Sequence, residues 1–392
     1  MQQVRPMYQA PLPTEYAQLT DEQAAARIRA AKASLGKRLV ILGHHYQRDE
    51  IIVHADYRGD SYKLAKDANL HPEAEFIVFC GVHFMAESAD ILTPDNQIVI
   101  LPNLAAGCSM ADMANIFQVR NAWRQISEVL RDVAAPLSAH ADPAQPRGAN
   151  AVVPVTYINS AANLKAFVGE HGGTVCTSTN ARQALEWALT QGEKVLFFPD
   201  QHLGRNTAWR MGFDPERDMV VWDPFRPYGG NTPERLREAK FLLWKGHCSV
   251  HKRFTVEQIE AARAAHPDVR VIVHPECTLD VVQAADDAGS TEYIIKAVTA
   301  GAPGSVWAVG TEINLVRRLA NELPDRTVVC LDDQICPCST MYRIHPTFLC
   351  WVLERLVAGE VVNQVRVPDA VAEWARVALR RMLEVTAAPT RD

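Results

Sequence analysis

One pattern recurs three times along the 392-residue chain: a short, almost wholly apolar run followed at once by a polar cluster. It reads ILGHHYQ from Ile41, VTYINSAANLK from Val155 and VIVHPECTLD from Val271. A second unit follows each: FCGVHFMAESADIL from Phe79, VCTSTNARQALEWA from Val175, and GSTEYIIKAV from Gly289. A third strand closes each block, in IVILPNLAAGCSMAD, in VLFFPDQHLGRNTA with VVWDP behind it, and in TVVCLDDQICPCSTM. The first strands begin near residues 39, 151 and 270, a period of about 115 residues. Repetition at a fixed period is the first thing a sequence says about architecture. The runs are continuously apolar rather than alternating, as in strands covered on both faces. Alternation of such runs with helical patterns makes βαβ units and parallel sheets. The sequence therefore predicts an α/β chain of three pseudo-repeated three-layer αβα domains, with parallel sheets around a pseudo-threefold axis.

The expected strands are 38–42, 76–79, 97–101, 151–157, 195–198 and 269–273, and helical spacing marks 20–35, 180–191, 255–265 and 279–288. Thr255 and Asp280 stand where an N-cap and a first-turn acid are wanted. Residues 134–150 (AAPLSAHADPAQPRGAN) read as a linker or surface insertion, and 225–238 as a loop entering a helix. The expected division is 1–149, 150–265 and 266–344 for the three domains, with helices of 345–392 packing back on the body. A hydrophobic content of 48% with 22% charged residues excludes disorder over most of the length. The net charge of −6, without a basic stripe, speaks against nucleic acid as partner. No apolar run approaches the ~18 residues of a membrane span, and the first residues lack the layout of a secretion signal. The expected setting is cytoplasmic.

In open parallel sheets, ligands bind beyond the carboxyl ends of the strands. The polar clusters lie there, which places His44, His45, Tyr46, Tyr157, Asn159, His274 and Glu276 toward a common centre. Each block also ends in a cysteine in a turn-like setting: Cys108 in AAGCSMAD, Cys248 in WKGHCSVHK and Cys336 in QICPCST. Their wide separations match neither zinc-finger nor ferredoxin spacing. Equivalence of position in a repeated architecture is the signal instead. Three soft thiolates suit a [4Fe–4S] cluster with one iron left open, a Lewis acid for substrate oxygens. Three unrelated structural cysteines, or zinc on Cys336, Cys338 and a nearby His, satisfy the same spacing. Cys80, Cys176 and Cys350, in apolar or small-residue segments, read as buried hydrophobes.

The segments GHHYQRDEI, GDSYKLAKDA, FCGVHFMAESADIL, GCSMAD, VTYINSAANLKA, CTSTNA, PDQHLGRN, WKGHCSVH, HPECT, GST and CPCSTM occur in this order between Ile41 and Glu354. In these the chain resembles the quinolinate synthases, the bacterial type A enzymes of NAD biosynthesis. The resemblance implies a transferase that condenses iminoaspartate with dihydroxyacetone phosphate to quinolinate, releasing phosphate and water. It also implies a functional link to an enzyme that makes iminoaspartate, and a [4Fe–4S] cluster on Cys108, Cys248 and Cys336. The intervening Cys338 departs from the family's CP-x-M pattern. Without the resemblance, another open-cluster hydro-lyase or a non-enzymatic Fe–S sensor would be the competing readings.

Under the resemblance His44 binds a substrate carboxylate, and Tyr46 gives a proton or hydrogen bond. Tyr157 and Asn159, two apart on an extended segment, share a face and aim at one ligand. His274 and Glu276 repeat that relation around Pro275, Glu276 serving as base or proton shuttle; the alternative is a carboxylate capping the next helix. Ser61, Ser178, Ser290 and Thr291 sit where loops enter helices, as N-caps or as anion contacts; the resemblance favours substrate binding. Lys252 and Arg205 are possible helpers or solvated charges.

Overall fold

The computed structural model describes residues 8–67, 70–130, 151–332, 334 and 337–387. The expected linker at 134–150 and Cys336 lie outside these residues.

The described residues form three all-parallel sheets. The first has β1 (Leu39–His44), β2 (Tyr57–Gly59), β3 (Phe76–Cys80) and β4 (Ile98–Ile100) in the order β2-β1-β3-β4. The second has β5 (Val152–Tyr157), β6 (Thr174–Cys176), β7 (Lys194–Phe198), β8 (Met219–Trp222) and β9 (Phe241–Trp244) in the order β6-β5-β7-β9-β8. The third has β10 (Arg270–Val273), β11 (Asp287–Ala288), β12 (Val306–Gly310) and β13 (Thr327–Cys330) in the order β11-β10-β12-β13. The same second-first-third-fourth order occurs in all three, β9 taking the fourth place and β8 adding an edge. The register repeats too: Gly43 pairs with Cys80, Thr156 with Phe198, and Val273 with Gly310. The chain is thus an α/β protein of pseudo-repeated αβα layers.

Continuous apolarity in the strands has its expected cause. All six residues of β1 and of β5 are buried. Fully burying a Val such as Val152, Val153 or Val155 stabilises the fold by about 1.5–3 kcal/mol relative to leaving it exposed. Thr255 is the N-cap its position suggested, and Asp280 is a first-turn acid. Thr20 and Thr255 precede helices Asp21–Leu35 and Val256–Ala265, each in a reciprocal capping box with the glutamine three residues on. One expected element is corrected. The helix at 279–288 stops at Ala284, and Asp287–Ala288 form β11. Asp286 turns the chain there: its N–H donates to Val271 O at 3.0 Å, and its Oδ2 accepts the Val271 N–H at 2.7 Å.

The chain divides into two compact units. One comprises residues 1–108, 312–318 and 335–367 and holds the first sheet; the other comprises 109–311, 319–334 and 368–392 and holds the second and third sheets. In the first unit, helix Pro346–Val357 packs on Asp21–Leu35. There the Tyr16 hydroxyl donates to Glu354 Oε2 at 2.9 Å and Arg27 Nε to Glu354 Oε1 at 2.7 Å. In the second unit, helix Asp369–Ala387 packs on Ala162–Glu170. The approach needs glycine, since a Cβ on Gly169 would sit 2.0 Å from Trp374 O.

Candidate functional site

Tyr157 is the last residue of β5, and Glu276 lies in the turn after β10. The Tyr157 hydroxyl donates to Glu276 Oε1 at 2.6 Å. The other carboxylate oxygen is 2.7 Å from His251 Nδ1, and His251 Nε2 is 3.1 Å from Thr311 Oγ1. A carboxylate only accepts, which makes His251 Nδ1 the donor of that bond, while Nε2 on the far side of the ring pairs with the Thr311 hydroxyl. The His251 ring stacks on His274, with centroids 4.3 Å apart and planes at 18°. The Glu276 N–H donates to His274 Nδ1 at 3.3 Å. Tyr157, His251, His274, Glu276 and Thr311 are all buried.

Burial, aided by the neighbouring His251, drives His274 down to about 3, so its ring is neutral near pH 7. Burial by itself favours the protonated form of Glu276. The His274 and His251 rings beside it, and the hydrogen bonds from His251 and Tyr157, outweigh burial and hold the carboxyl below its usual range. Since the His274 ring is neutral near pH 7, its charge is not what holds Glu276 ionised there; the hydrogen bonds from His251 and Tyr157 remain. The result is a buried carboxylate whose oxygens are held by a phenol and an imidazole. The possibility that Glu276 caps the following helix is not realised; its oxygens serve Tyr157 and His251 instead.

Nearby, Asp200 accepts the His202 and Leu203 N–H groups through Oδ1 at 2.7 and 3.3 Å. Burial first, and then the Glu276 charge, push its carboxyl well up. Asp200 Oδ2, His202 Nδ1 and Asn206 Oδ1 are buried without a hydrogen-bond partner among the described residues.

The other residues expected at the site fall out as follows. β5 ends at Tyr157, so Asn159 stands in a bend and not on the extended segment. The chain turns because Ser160 donates through Oγ to Tyr157 O at 2.8 Å, while the buried Lys165 ammonium donates to Ser160 O. Ser178 is half-buried in the turn before helix Ala181–Gln191. Ser290 is the N-cap of helix Thr291–Ala300, its Oγ accepting the Tyr293 N–H at 3.3 Å, and Thr291 is buried beside it. In the first unit, buried His44 accepts the Tyr46 N–H through Nδ1 at 3.1 Å, and the Tyr46 ring meets it edge-on at 4.8 Å. Ser61 opens helix Ser61–Asp67, where Asp60 Oδ1 caps Lys63 N–H at 2.9 Å.

The cysteines sort by environment. Cys80, Cys176, Cys277 and Cys350 are fully buried. Burial pushes Cys80 up to about 12, Cys350 up to about 11, and the thiols of Cys176 and Cys277 up as well. Inert thiols of this kind are structural. Cys108 and Cys248 are half-buried in irregular segments after strands, and the Cys248 thiol, a His251 nitrogen and a Glu276 oxygen lie within 4.8 Å of one another. Cys338 is half-buried, with its N–H on Glu312 Oε1 at 3.2 Å. His251 is the residue the sequence reading passed over. Its signal was the position three residues after Cys248, at a turn where a 3₁₀ helix returns it to the thiol.

The quinolinate synthetase A protein family matches residues 26–384. A quinolinate synthase of Corynebacterium glutamicum is 59% identical over 377 residues, covering 96% of this chain and 91% of that protein. Those of Herpetosiphon aurantiacus and Streptomyces coelicolor are 56% and 55% identical, covering 95% and 93% of this chain and 95% and 89% of those proteins. With a match of this extent and with the repeated parallel sheets, the chain belongs to the quinolinate synthase family.

Proposed function

We propose that this enzyme of NAD biosynthesis condenses iminoaspartate with dihydroxyacetone phosphate to quinolinate, with loss of phosphate and water. Family membership supports the reaction, and the observation that carries the chemistry is the buried Tyr157–Glu276–His251–Thr311 array. Isomerisation, ring closure and dehydration all need protons moved without bulk water. Glu276, ionised and shielded, takes a proton at a carboxylate oxygen; Tyr157 Oη, already bonded to that carboxylate, holds or returns one. His251 keeps the carboxylate oriented through Nδ1. Neutral His274 presents a ring that donates through Nε2 rather than a cation. Tyr46 and His44 act at the corresponding turn of the first repeat, where His44 receives a substrate carboxylate and Tyr46 donates to a leaving hydroxyl. Asn159, Ser61, Ser178, Ser290 and Thr291 complete the set of substrate contacts.

The donor chemistry fits a [4Fe–4S] cluster: the thiols of Cys108 and Cys248, half-buried like those of Cys330 and Cys338, contrast with the buried Cys80, Cys176, Cys277 and Cys350. With Cys336 as third ligand they would hold the group, and it would supply an open iron as Lewis acid for substrate oxygens. The test is anaerobic purification with iron and sulfide determination, followed by assay of quinolinate and phosphate. Stoichiometric quinolinate and phosphate are expected. Turnover of a single hydroxy acid without phosphate release would replace this reading with that of a hydro-lyase.

A further inference from the structure

Two of the helices that follow a third strand do the same job in different repeats. Helix Gln201–Arg210 follows β7, and helix Ile313–Glu322 follows β12. Two residues after each strand stands a fully buried acid, Asp200 or Glu312. Each caps its own helix: Asp200 accepts two N–H groups, and Glu312 Oε2 accepts Asn314 N–H at 2.8 Å and Leu315 N–H at 3.4 Å. Six residues further on stands a buried donor, Asn206 in one helix and Arg318 in the other.

Asn206 Nδ2 donates to Pro275 O at 2.9 Å and to Cys277 O at 2.7 Å. Arg318 donates through Nη1 to His45 O at 2.9 Å and through Nη2 to Gln47 O at 2.5 Å. In the repeat, His44-His45-Tyr46-Gln47 corresponds to His274-Pro275-Glu276-Cys277. The local turns agree, since His44 Nδ1 and His274 Nδ1 each accept the N–H two residues on. So in both cases the helix grips the two carbonyls that flank the central residue, Glu276 in one turn and Tyr46 in the other. The third-repeat helix adds Asn314, whose Nδ2 lies 3.3 Å from Tyr46 O, and Arg318 Nε, which pairs with Asp49 at 2.6 Å.

A turn held at its two flanking carbonyls keeps the backbone, and so the direction in which its central side chain leaves it, fixed. The donors are buried, so losing one strands carbonyls that water does not reach. We propose that Asn206 and Arg318 are paired positioning residues, fixing the turns that aim Glu276 and Tyr46. The proposal rests on the reading of Glu276 and Tyr46 as proton-transfer groups, and its structural half can be tested without that reading.

The experiment uses the full chain with Asn206→Asp, which keeps the shape and loses the donor, and Arg318→Lys, which keeps the charge and loses the fork. Asn206→Ala and Arg318→Met serve as second variants should either fail to fold. Hydrogen exchange by mass spectrometry is read over peptides 271–279 and 39–49, and initial rates over a substrate series. Asn206→Asp is expected to speed exchange in 271–279 and leave 39–49 unchanged; Arg318→Lys should do the reverse. Misaiming one group should lower kcat by about 10- to 100-fold with KM within about threefold. Uniform exchange throughout the chain, no local change, or a rise in KM at unchanged kcat would overturn the proposal. If the unsubstituted enzyme forms no quinolinate, the functional reading falls, while the exchange pattern still decides the brace.

Discussion

Tyr157 and Glu276 are 119 positions apart in the chain and 2.6 Å apart in space, joined by a buried hydrogen bond. Each stands at the carboxyl end of the first strand of its sheet, the place where parallel sheets present their ligand-binding groups. A phenol donating to a carboxylate keeps that carboxylate ionised and at the same time gives it a route for a proton. The pair follows from the repeat, which sets Tyr157 at the end of one first strand and Glu276 in the turn just after another.

Replacing Tyr157 by Phe removes the donor and leaves Glu276 Oε1 buried with one fewer partner. The expected loss in kcat is about 10²- to 10⁴-fold, as for a group that transfers or relays a proton. Stability should fall by about 1–3 kcal/mol, the cost of an unsatisfied buried acceptor. Initial rates and denaturant melts measure the two separately. A Tyr157→Phe enzyme with near-normal turnover would remove the phenol from the chemistry.

Acid should destabilise the fold before it protonates ordinary carboxylates. Burial, with Arg205 and other cations near it, drives His202 down to about 4, and burial drives His274 to about 3. Unfolded histidines titrate near 6.5. The unfolded chain therefore binds more protons across this window, so the stability is full above about pH 6.5 and is lost as pH falls toward 4. At pH 5 each ring costs on the order of 2 kcal/mol. Melting temperatures measured at pH 7.5 and 5.5 should drop for the natural chain and drop less for His202→Gln. Parallel pH curves for the two proteins would show that folding does not shift the His202 ring.

Much of this was legible in the residues. Continuous apolar runs such as LVIL and VVPV gave the strands, Thr255 gave a helix start, and the spacing of ILGHHYQ, VTYINS and VIVHPE gave the repeat and the strand ends at or after which His44, Tyr157 and Glu276 stand. Less legible was anything decided by packing between distant segments. His251 reaches Glu276 only because the turn after β9 folds it back, and no periodicity marks a turn. Asn206 and Arg318 look like ordinary helix residues in PDQHLGRN and TEINLVRR; their partners are backbone carbonyls, which leave no trace in composition. Residues 279–288 misled as a helix because Asp286 ends it through a hydrogen-bonded pair with Val271 that the local sequence does not announce.

The thiols divide into two classes that mutation can separate. Cys248 sits half-buried beside His251 and Glu276, whereas Cys176 is sealed inside β6 with its thiol pushed up by burial. Cys248→Ser is expected to lose iron and acid-labile sulfide and to abolish turnover. Cys176→Ser should retain both iron and sulfide, at a stability cost of about 1–3 kcal/mol for a polar group placed in an apolar setting. Visible absorption and iron analysis on anaerobic protein read the outcome. Equal iron in Cys248→Ser and the natural chain would take Cys248 out of the ligand set.

Gly246 makes a prediction about how that thiol is held. It lies between β9 and Cys248, where its N–H donates to Trp244 O at 2.7 Å and its carbonyl accepts the Gln201 N–H at 3.0 Å. A Cβ here would sit 2.1 Å from Pro199 O, a backbone atom that cannot step aside without moving the start of helix Gln201–Arg210. Gly246→Ala should therefore cost about 1–3 kcal/mol of stability, as overpacking does, and should lower iron content by displacing the Cys248 turn. Gly304 is the matched control. It has φ +80° and open space around it, at the amino-terminal side of β12 and so at the end of the sheet away from the site. Gly304→Ala should cost a similar ~1–2 kcal/mol through left-handed backbone strain yet leave iron and turnover unchanged. If the two variants lose iron equally, the close approach at Gly246 is only a general packing contact and does not hold the thiol.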